Sequence, residues 1–376
     1  MAKAPGDKTW IWEHRDWPNF GWNEARLTGP LANAHRKEGR VSQAAIDSAE
    51  DTRRAQLDAM LSNILNSAAI EGERLDAESV RSSLARRLGL PAAGLWAPHA
   101  ESEGMVQMLM DATEASDKPL TKSRLMRWHR LLFPGASADH GGVRIGTWRG
   151  PEPMQVVSGP HTRRRVHFQA PPRERVEREM SAFFDWLKLS QRELDPVVRA
   201  GVAHLWFVTI HPFDDGNGRI ARAISDFVLA QSDAVSVRCY ALSAAIMDRR
   251  KGYYDILEAT QRSSPSDITL WLLWFTETLE AAIDDALRRI QQTLIKTRFW
   301  AQISGADLNE RMKKVLNRML DADEPFKLTT RRYVSMTKVS KATATRDLQA
   351  MVQAGCIEPI PGAGGRSTGY QIRLPR

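Results

Sequence analysis

The segment HPFDDGNGRIAR at residues 211–222 combines residue types that suit phosphate chemistry. Apolar helical patterns lie on both sides, so the turn Gly216–Gly218 places backbone N–H groups at the start of a helix. Such a turn binds anions, because the free donors and the helix dipole both favour negative charge. Arg219 and Arg222 are three residues apart, so they share a helix face and can hold a polyphosphate.

Two more residues of this segment have side chains that suit the same chemistry. Asp215 offers a hard oxygen for Mg²⁺, which needs few protein ligands where phosphates supply the rest. His211 lies just before the turn, where it can take a proton from an attacking hydroxyl. A single histidine, a Gly-Asn-Gly turn or a pair of arginines is ordinarily structural. Their combination at these spacings predicts a phosphate-transfer site.

The segment resembles the Fic-family motif HxFx(D/E)GNGRxxR, and every fixed position matches. The resemblance implies transfer of AMP from ATP to a hydroxyl side chain of a target protein, with Mg²⁺ as cofactor. Gly218 favours AMP transfer over the phosphate transfer of Doc-like kinases in the superfamily. The implied roles are His211 as general base, Asp215 as metal ligand, Phe213 as anchor of the loop, Gly216, Asn217 and Gly218 as the phosphate cradle, and Arg219 and Arg222 as ligands of the outer phosphates.

A second motif lies upstream, where residues 67–72 read SAAIEG. It resembles the family's inhibitory pattern (S/T)xxxE(G/N), with Ser67 and Glu71 at the fixed positions and Gly72 as the C-cap of a predicted helix. The resemblance implies that Glu71 pairs with Arg222 and competes there with the γ-phosphate of ATP. An inhibitory helix in the same chain is therefore expected. Some Fic enzymes use this glutamate to remove AMP, and the two directions of reaction stay open.

Residues around the nucleotide are predicted less directly. Short β-prone runs flank a Ser-Gly-Pro turn at residues 158–160 and predict a hairpin. It resembles the family's flap, which pairs with the backbone of the target by strand addition. Tyr253 and Tyr254 are candidates to pack against adenine, with core packing as an equal alternative. The candidate flap residues are Val156, Val157, Arg165 and Val166.

The last fifth of the chain is basic: residues 309–376 hold 13 Lys+Arg against 6 Asp+Glu, within a net charge of +8 for the chain. Three helical patterns followed by two β-prone runs predict a winged helix-turn-helix, and the charge favours DNA binding. The candidate contacts to DNA are Lys341, Thr343, Thr345 and Arg346 in the predicted recognition helix and Arg366 in the wing. Two alternatives stay open: a protein-interaction module, and a DNA-binding regulator whose core senses nucleotide.

Helical patterns dominate the rest of the chain. We therefore expect a mainly α fold, in which a Fic-like helical core carries a small hairpin and a winged helix follows. The expected domains are a tryptophan-rich helical lobe with the inhibitory motif at 1–99, a catalytic core at 100–300 and the winged helix at 301–376. Trp10, Trp12, Trp17 and Trp22 predict an irregular segment packed by aromatic side chains.

Composition excludes several classes of protein. Two cysteines, Cys239 and Cys356, cannot build a disulfide framework or a cysteine zinc site. The sequence has no run of about 18 apolar residues and no apolar signal core near its start, so we expect no membrane partner and a cytoplasmic location. The expected partners are ATP, an unidentified target protein and DNA. The family resemblance adds a homodimer, in which dilution would relieve inhibition.

Overall fold

The computed structural model describes residues 10–47, 49–90, 99–135, 139–140, 142–158, 164–237, 239–322, 326–361 and 369–374. The chain divides into two compact units, Met1–Leu287 and Arg288–Arg376. The tryptophan-rich lobe expected at 1–99 lies in the same unit as the core. The division lies inside a helix, before the boundary expected at residue 300.

Helices form most of the first unit. The helices are α1 (Glu24–Asp47), α2 (Ala49–Ile70), α3 (Ala77–Arg87), α4 (Ala100–Glu114), α5 (Lys122–Leu132), α6 (Val176–Leu189), α7 (Pro196–Ile210), α8 (Asn217–Val237), α9 (Leu242–Asp248), α10 (Arg250–Gln261) and α11 (Thr269–Gln302), which continues into the second unit. Short 3₁₀ helices lie at Ile11–Glu13, Arg173–Arg175 and Ser190–Arg192. Among the described residues, no helix is both long and apolar enough to cross a bilayer.

Two antiparallel strand pairs accompany these helices: β1 (Asp139–His140) with β2 (Val143–Arg144), and β3 (Gln155–Ser158) with β4 (Arg165–Gln169). The second pair confirms the predicted hairpin. Its register is irregular, because Val156 lies opposite Phe168 while Val157 lies opposite Val166. His167 is therefore the extra residue of a β-bulge, which redirects a side chain and bends the strand locally. The turn at 159–163 lies outside the described residues.

Helix α7 is the centre of the first unit. Asp195 caps its N-terminus by accepting hydrogen bonds from the N–H groups of Val197 and Val198, and Pro196 occupies the first turn. The rest of the helix, residues 197–210, is buried on all sides. A helix that is apolar around its whole circumference must be surrounded by other elements. Its C-terminus, from which the candidate loop leaves, is therefore held by the core.

The tryptophan-rich segment packs onto this core, as predicted. Trp17 lies edge-on to Trp206, with ring centroids 6.2 Å apart, and its Nε1 donates to Glu179 Oε2 at 2.8 Å. Trp12 donates to the backbone oxygen of Gln169 at 2.7 Å, and Trp10 packs edge-on against Phe168 at 5.4 Å. Gln169 and Phe168 belong to β4, so this segment supports the base of the hairpin.

The second unit contains α12 (Glu310–Leu320), α13 (Thr330–Thr337), α14 (Lys341–Gln353), β5 (Ile357–Pro359) and β6 (Tyr370–Ile372), with the two strands antiparallel. Ser340 caps α14 by accepting from the N–H of Thr343 at 3.2 Å. Buried Tyr333, Leu348 and Met351 are part of its apolar core. The order of elements is the one expected from the sequence, and the assignment to winged helices stays a prediction.

Candidate functional site

The loop between α7 and α8 is closed by the Asn217 side chain. Asn217 Oδ1 accepts from the N–H of Phe213 at 3.0 Å, and its Nδ2 donates to the Phe213 oxygen at 2.9 Å. The Phe213 ring is fully buried in the core. The amide of Asn217 is therefore used within the loop, so a bound phosphate would meet the backbone N–H groups of the first turn of α8.

His129, which the sequence did not single out, supports the loop from below. Its ring stacks on Phe213 with centroids 4.1 Å apart. Burial lowers the pKa of His129 to about 4, so the ring is neutral near pH 7. Nδ1 accepts from the N–H of Gly146 at 2.9 Å, which leaves Nε2 to donate to the Asp215 oxygen at 3.2 Å. A lone histidine in a helical pattern gives no sequence signal of this role.

Residues 144–150 hold the other side of the loop. Buried Arg149 donates through Nε to the His211 oxygen at 2.8 Å, and its backbone N–H donates to the Pro212 oxygen at 2.9 Å. Asp214 accepts from the backbone N–H groups of Arg144 and Gly150 at 3.0 and 3.1 Å. The loop is therefore pre-organised, so its geometry does not depend on a ligand.

The His211 ring has one nitrogen free for proton transfer. The residue ends α7 in the left-handed region, with φ 50° and ψ 60°, and its N–H donates to the Phe207 oxygen. Nδ1 lies 3.1 Å from the Val208 oxygen and donates to it, so Nε2 carries the lone pair. Burial lowers the pKa of His211 from its usual value. A neutral imidazole with a free Nε2 has the form that a general base requires.

Beside this ring lies a cavity of about 620 Å³, a volume typical of sites that hold ligands the size of a nucleotide. Of the predicted site residues, it brings together Glu71, Val156, Val157, His211, Gly218, Tyr253 and Tyr254. Its wall also contains residues that sequence reasoning missed, namely Ser158, His167, Arg250, Leu257, Glu258 and Gln261. Arg165 and Val166 lie on the same hairpin, and Arg165 pairs with Glu258 at 2.9 Å.

The two candidate tyrosines differ in burial. Tyr253 is buried, and its hydroxyl lies 2.8 Å from Nε2 of His204. Tyr254 is 38% exposed and donates to the Ile70 oxygen at 3.3 Å. Burial raises the pKa of both hydroxyls, so both stay protonated at neutral pH. Tyr254 therefore offers the more accessible ring for packing against a base, while Tyr253 is tied into the core.

The predicted inhibitory contact is present as an ion pair. Arg222 Nη2 lies 2.8 Å from Glu71 Oε1, and the same guanidinium donates to the side chain and backbone oxygens of Ser67 at 2.9 and 2.8 Å. A Cβ added at Gly218 would overlap Glu71 Oε1, so this carboxylate lies directly against the turn at 216–218. Glu71 thus occupies space next to the candidate phosphate site, and it also pairs with the positive charge of Arg222.

The end of α2 has a hydrogen-bonding pattern that fixes this carboxylate. Gly72 has φ 85°, and the N–H groups of Gly72 and Glu73 donate to the oxygens of Ala69 and Ala68 at 3.0 and 3.1 Å. The longer bond spans six residues, as in a Schellman motif. Gly72 therefore occupies the C′ position of this motif, one residue beyond the C-cap Glu71, rather than the predicted C-cap position.

A second carboxylate at this helix end, Glu73, was not predicted. Its Oε2 lies 2.6 Å from Nη1 of Arg219, a side chain that is 3% exposed. Burial raises the pKa of Glu73, and the charge of Arg219 opposes that shift. Among the described residues, Arg219 Nε and Nη2 and Arg222 Nη1 have no hydrogen-bond partner. Buried donors of this kind are costly unless they meet an acceptor, so the pair is suited to binding an anion.

Asp215 is the candidate metal ligand. Its carboxylate is 53% exposed, and its Oδ1 accepts from the N–H of Gly216 at 2.6 Å. The described part of the chain contains no group of three His, Cys, Asp or Glu side chains that could hold a metal ion. The donor set fits an ion such as Mg²⁺ that takes one carboxylate from the protein and its remaining ligands from phosphates and water.

The candidate DNA contacts of the second unit lie at the start of α14. Lys341, Thr345 and Arg346 are exposed and Thr343 is half-buried. The Thr345 hydroxyl donates to the Lys341 oxygen within the helix at 3.0 Å. The structure thus brings the four residues to one helix end. The fifth candidate, Arg366, lies outside the described residues.

Comparison with known proteins identifies two segments. Residues 10–90 match a family described as a domain of unknown function, DUF4172, and residues 119–229 match the Fic/DOC family. Protein adenylyltransferase Fic from Nematostella vectensis is 25% identical over 236 residues, which cover 62% of this chain and 50% of that protein. Protein adenylyltransferase fic-1 from Caenorhabditis elegans is 28% identical over 174 residues, which cover 45% and 31%. The chain thus spans half the length, or less, of these two relatives.

The fold is also found among solved structures. A Fic family protein from Desulfovibrio desulfuricans G20 aligns with a TM-score of 0.52 at 21% identity, over 92% of this chain and 96% of that one. A Fic domain containing signaling protein from Bacteroides thetaiotaomicron aligns with a TM-score of 0.51 at 19% identity, over 70% and 97%. The mainly helical fold with its small hairpin is therefore the fold of these proteins, as expected.

Proposed function

We propose that this chain, in which residues 119–229 form a Fic/DOC-family domain, is a protein adenylyltransferase that is inhibited by its own Glu71. The observation that carries the proposal is the pairing of a proton acceptor with an anion site. His211 offers a free Nε2 to the cavity. Next to it lies Gly218, in the first turn of α8, and this helix carries two buried arginines that keep guanidinium nitrogens without a hydrogen-bond partner among the described residues. The names of the curated relatives support the same activity.

The proposed reaction divides the work among these residues. The first turn of α8 binds the phosphates of ATP, and Arg219 and Arg222 neutralise their charge. Nε2 of His211 takes the proton of the target's hydroxyl as its oxygen attacks the α-phosphorus, and pyrophosphate leaves. Asp215 would hold Mg²⁺, which adds positive charge on the phosphates. Catalysis then comes from positioning and from electrostatic stabilisation.

The isotope test of this proposal compares two labels. A variant with Glu71→Gly is incubated with Mg²⁺, a cell extract as source of acceptors, and ATP labelled on either the α- or the γ-phosphate. Label from the α-phosphate is expected on protein, and label from the γ-phosphate is expected in released pyrophosphate. Both labels are compared with extract alone, because kinases of the extract also transfer the γ-phosphate to proteins. An increase over extract alone in γ-label and not in α-label would establish phosphate transfer by the chain and contradict the proposal.

DNA binding is the second function we propose, for residues 288–376. Two exposed cations, Lys341 and Arg346, lie in the first two turns of a helix that Ser340 caps, and this end of the chain is basic. A helix start of this kind can contact phosphates and base edges. Two alternatives use the same surface. One is a module that binds a protein there, and the other is a regulator that binds DNA there while its core senses nucleotide. A homodimer also stays a prediction.

Arg346→Ala is expected to weaken binding of duplex DNA and to reduce the salt dependence of log K by about one charge. Arg192→Ala, which removes an exposed arginine from the first unit, is the matched control and should leave both values unchanged. Fluorescence anisotropy with a labelled duplex at several salt concentrations measures both. No binding at low salt by the parent chain would exclude the DNA proposal and favour a protein partner.

A further inference from the structure

Three side chains in the wall of the cavity form a hydrogen-bonded chain that the proposed function does not use. Ser158 Oγ lies 2.5 Å from Nε2 of His167, and Nδ1 of the same ring lies 2.5 Å from Glu258 Oε2. Each of the three lines the cavity together with His211 and Gly218. A hydroxyl, an imidazole and a carboxylate in this order form the arrangement that activates a nucleophile.

The ionisation state of Glu258 determines where the protons lie among these three side chains. Burial would raise the pKa of this carboxyl, but hydrogen bonds from His167 and Arg165 outweigh it and lower the pKa, so Glu258 is ionised. An ionised carboxylate only accepts, so Nδ1 of His167 must carry the proton. In the neutral ring Nε2 then has the lone pair and accepts from the Ser158 hydroxyl. The remaining lone pairs of the Ser158 oxygen are left for an electrophile.

The backbone and its neighbours hold the three groups in place. The β-bulge at His167 separates this residue from the regular pairing of β3 and β4, which redirects its side chain. Arg262 donates to the backbone oxygens of Val166 and His167 at 3.0 and 3.1 Å and lies 3.1 Å from Glu258. Arg165 pairs with the same carboxylate. The geometry is therefore fixed by two strands and one helix rather than by a single rotamer.

We propose that Ser158 is itself an acceptor of AMP, so that the chain modifies its own hairpin in the cavity where ATP binds. This inference rests on the proposed function, because it needs ATP in that cavity. Ser158 is exposed, whereas His167 and Glu258 are partly buried behind it, so the hydroxyl is the member of the set that a ligand can reach.

The step balances without any further reactant. Ser158 Oγ attacks the α-phosphorus of ATP and forms a new P–O bond. The bond from that phosphorus to the oxygen that bridges it to the β-phosphate breaks, and pyrophosphate leaves with the bonding electron pair. The hydroxyl proton passes to Nε2 of His167, and Glu258 stabilises the resulting imidazolium. The product is a serine phosphodiester of AMP on β3.

Peptide mass spectrometry tests the proposal on the full chain. The variant Glu71→Gly is incubated with Mg²⁺ and ATP, and an AMP adduct is expected on the peptide that contains Ser158. Adding Ser158→Ala removes that adduct, whereas Ser266→Ala, which alters an exposed serine outside the cavity wall, leaves it unchanged. An adduct confined to other residues would show that Ser158 is not the acceptor.

Further variants test whether His167 accepts the proton of Ser158 or only makes a structural contact. His167→Ala is expected to lower the rate of Ser158 modification by about 100-fold, the effect typical of a lost general base. His211→Ala should lower that rate less, because the proton of Ser158 goes to His167. Glu258→Gln keeps the size of the side chain but removes the negative charge that stabilises the His167 imidazolium, so it should lower the rate of Ser158 modification without changing the dissociation constant of ATP. A parallel loss of ATP affinity and rate would indicate a structural role and overturn the assigned relay.

The same preparations distinguish failure of this inference from failure of the proposed function. Transfer of the α-phosphate label to proteins of a cell extract reports the adenylyltransferase activity by itself. Label on those proteins with an unmodified Ser158 would overturn the inference and leave the proposed function standing. Absence of label on both the extract and the chain would overturn both.

Discussion

Glu71→Gly is expected to raise the rate of AMP transfer by about 10- to 100-fold, the range of a typical coupling free energy between two sites. The substitution frees Nη2 of Arg222, which Glu71 holds at 2.8 Å. It also empties the space against Gly218, where a bound phosphate would approach the backbone. Glu71 follows Ile70, the last residue of α2, so a glycine there removes no residue from the helix.

The measurement is the initial rate of α-phosphate label transfer from ATP to proteins of a cell extract, compared with the parent chain at equal concentration. Glu73→Gly is the matched control, because the same change removes the neighbouring carboxylate, which pairs with Arg219 instead of Arg222. We expect a smaller increase for Glu73→Gly, since Glu73 is not the carboxylate that lies against Gly218. Equal increases would indicate that loosening of this helix end, rather than the Glu71–Arg222 pair, controls the rate.

The same variant also tests the reverse reaction. If Glu71 positions water for removal of AMP, Glu71→Gly should lose the ability to release AMP from an adenylylated protein that the parent chain does process. If Glu71 only inhibits, neither chain should release AMP. Offering both chains one adenylylated substrate and measuring free AMP therefore separates the two directions that the motif leaves open.

The parts of the site that could be predicted from sequence are those carried by local spacing. Three features of this kind depend only on residues that are close in sequence: the turn at 216–218, the two arginines one helical turn apart, and the end of α2 at Gly72. Helix geometry fixes where such residues lie relative to one another once their spacing is known. The contact between Glu71 and Arg222 spans 151 residues, and it was predicted from resemblance to a family motif instead of from spacing.

The unpredicted parts depend on tertiary packing between distant segments. His129 and Arg149 hold the loop between α7 and α8 through hydrogen bonds to backbone oxygens, which no side-chain motif encodes. The role of Glu258 required the strand register, because the bulge at His167 decides which side chain faces it. A shift of one residue in register reverses every side chain of a strand, and sequence patterning in a short, half-exposed hairpin specifies register weakly. The division after residue 287 lies within the continuous helix α11, so no break in the helical pattern marks it in the sequence.

His211→Ala, placed on the Glu71→Gly background, is expected to lower transfer to other proteins by about 100- to 10,000-fold, the range for loss of a general base. The dissociation constant of ATP should change far less, because the phosphate contacts come from the turn at 216–218 and from the two arginines. His14→Ala, which alters a half-buried histidine outside the cavity wall, is the control and should transfer at the rate of the background variant. Label transfer gives the rate, and calorimetric titration with ATP gives the affinity.

The pH dependence of transfer distinguishes a base from a residue that only shapes the loop. Burial lowers the pKa of His211, so its neutral form is present at pH 7 and is lost only as the pH falls through that lowered value. The rate should therefore be level around neutrality and fall on the acid side, and His211→Ala should abolish that acid limb. If His211 only shaped the loop, the variant would lose affinity for ATP in parallel with rate and would keep the pH profile. Arg149 donates a hydrogen bond to the backbone oxygen of His211, and His211→Ala keeps that oxygen. The loop should therefore keep its position in the variant, so that a loss of rate reports the loss of the imidazole.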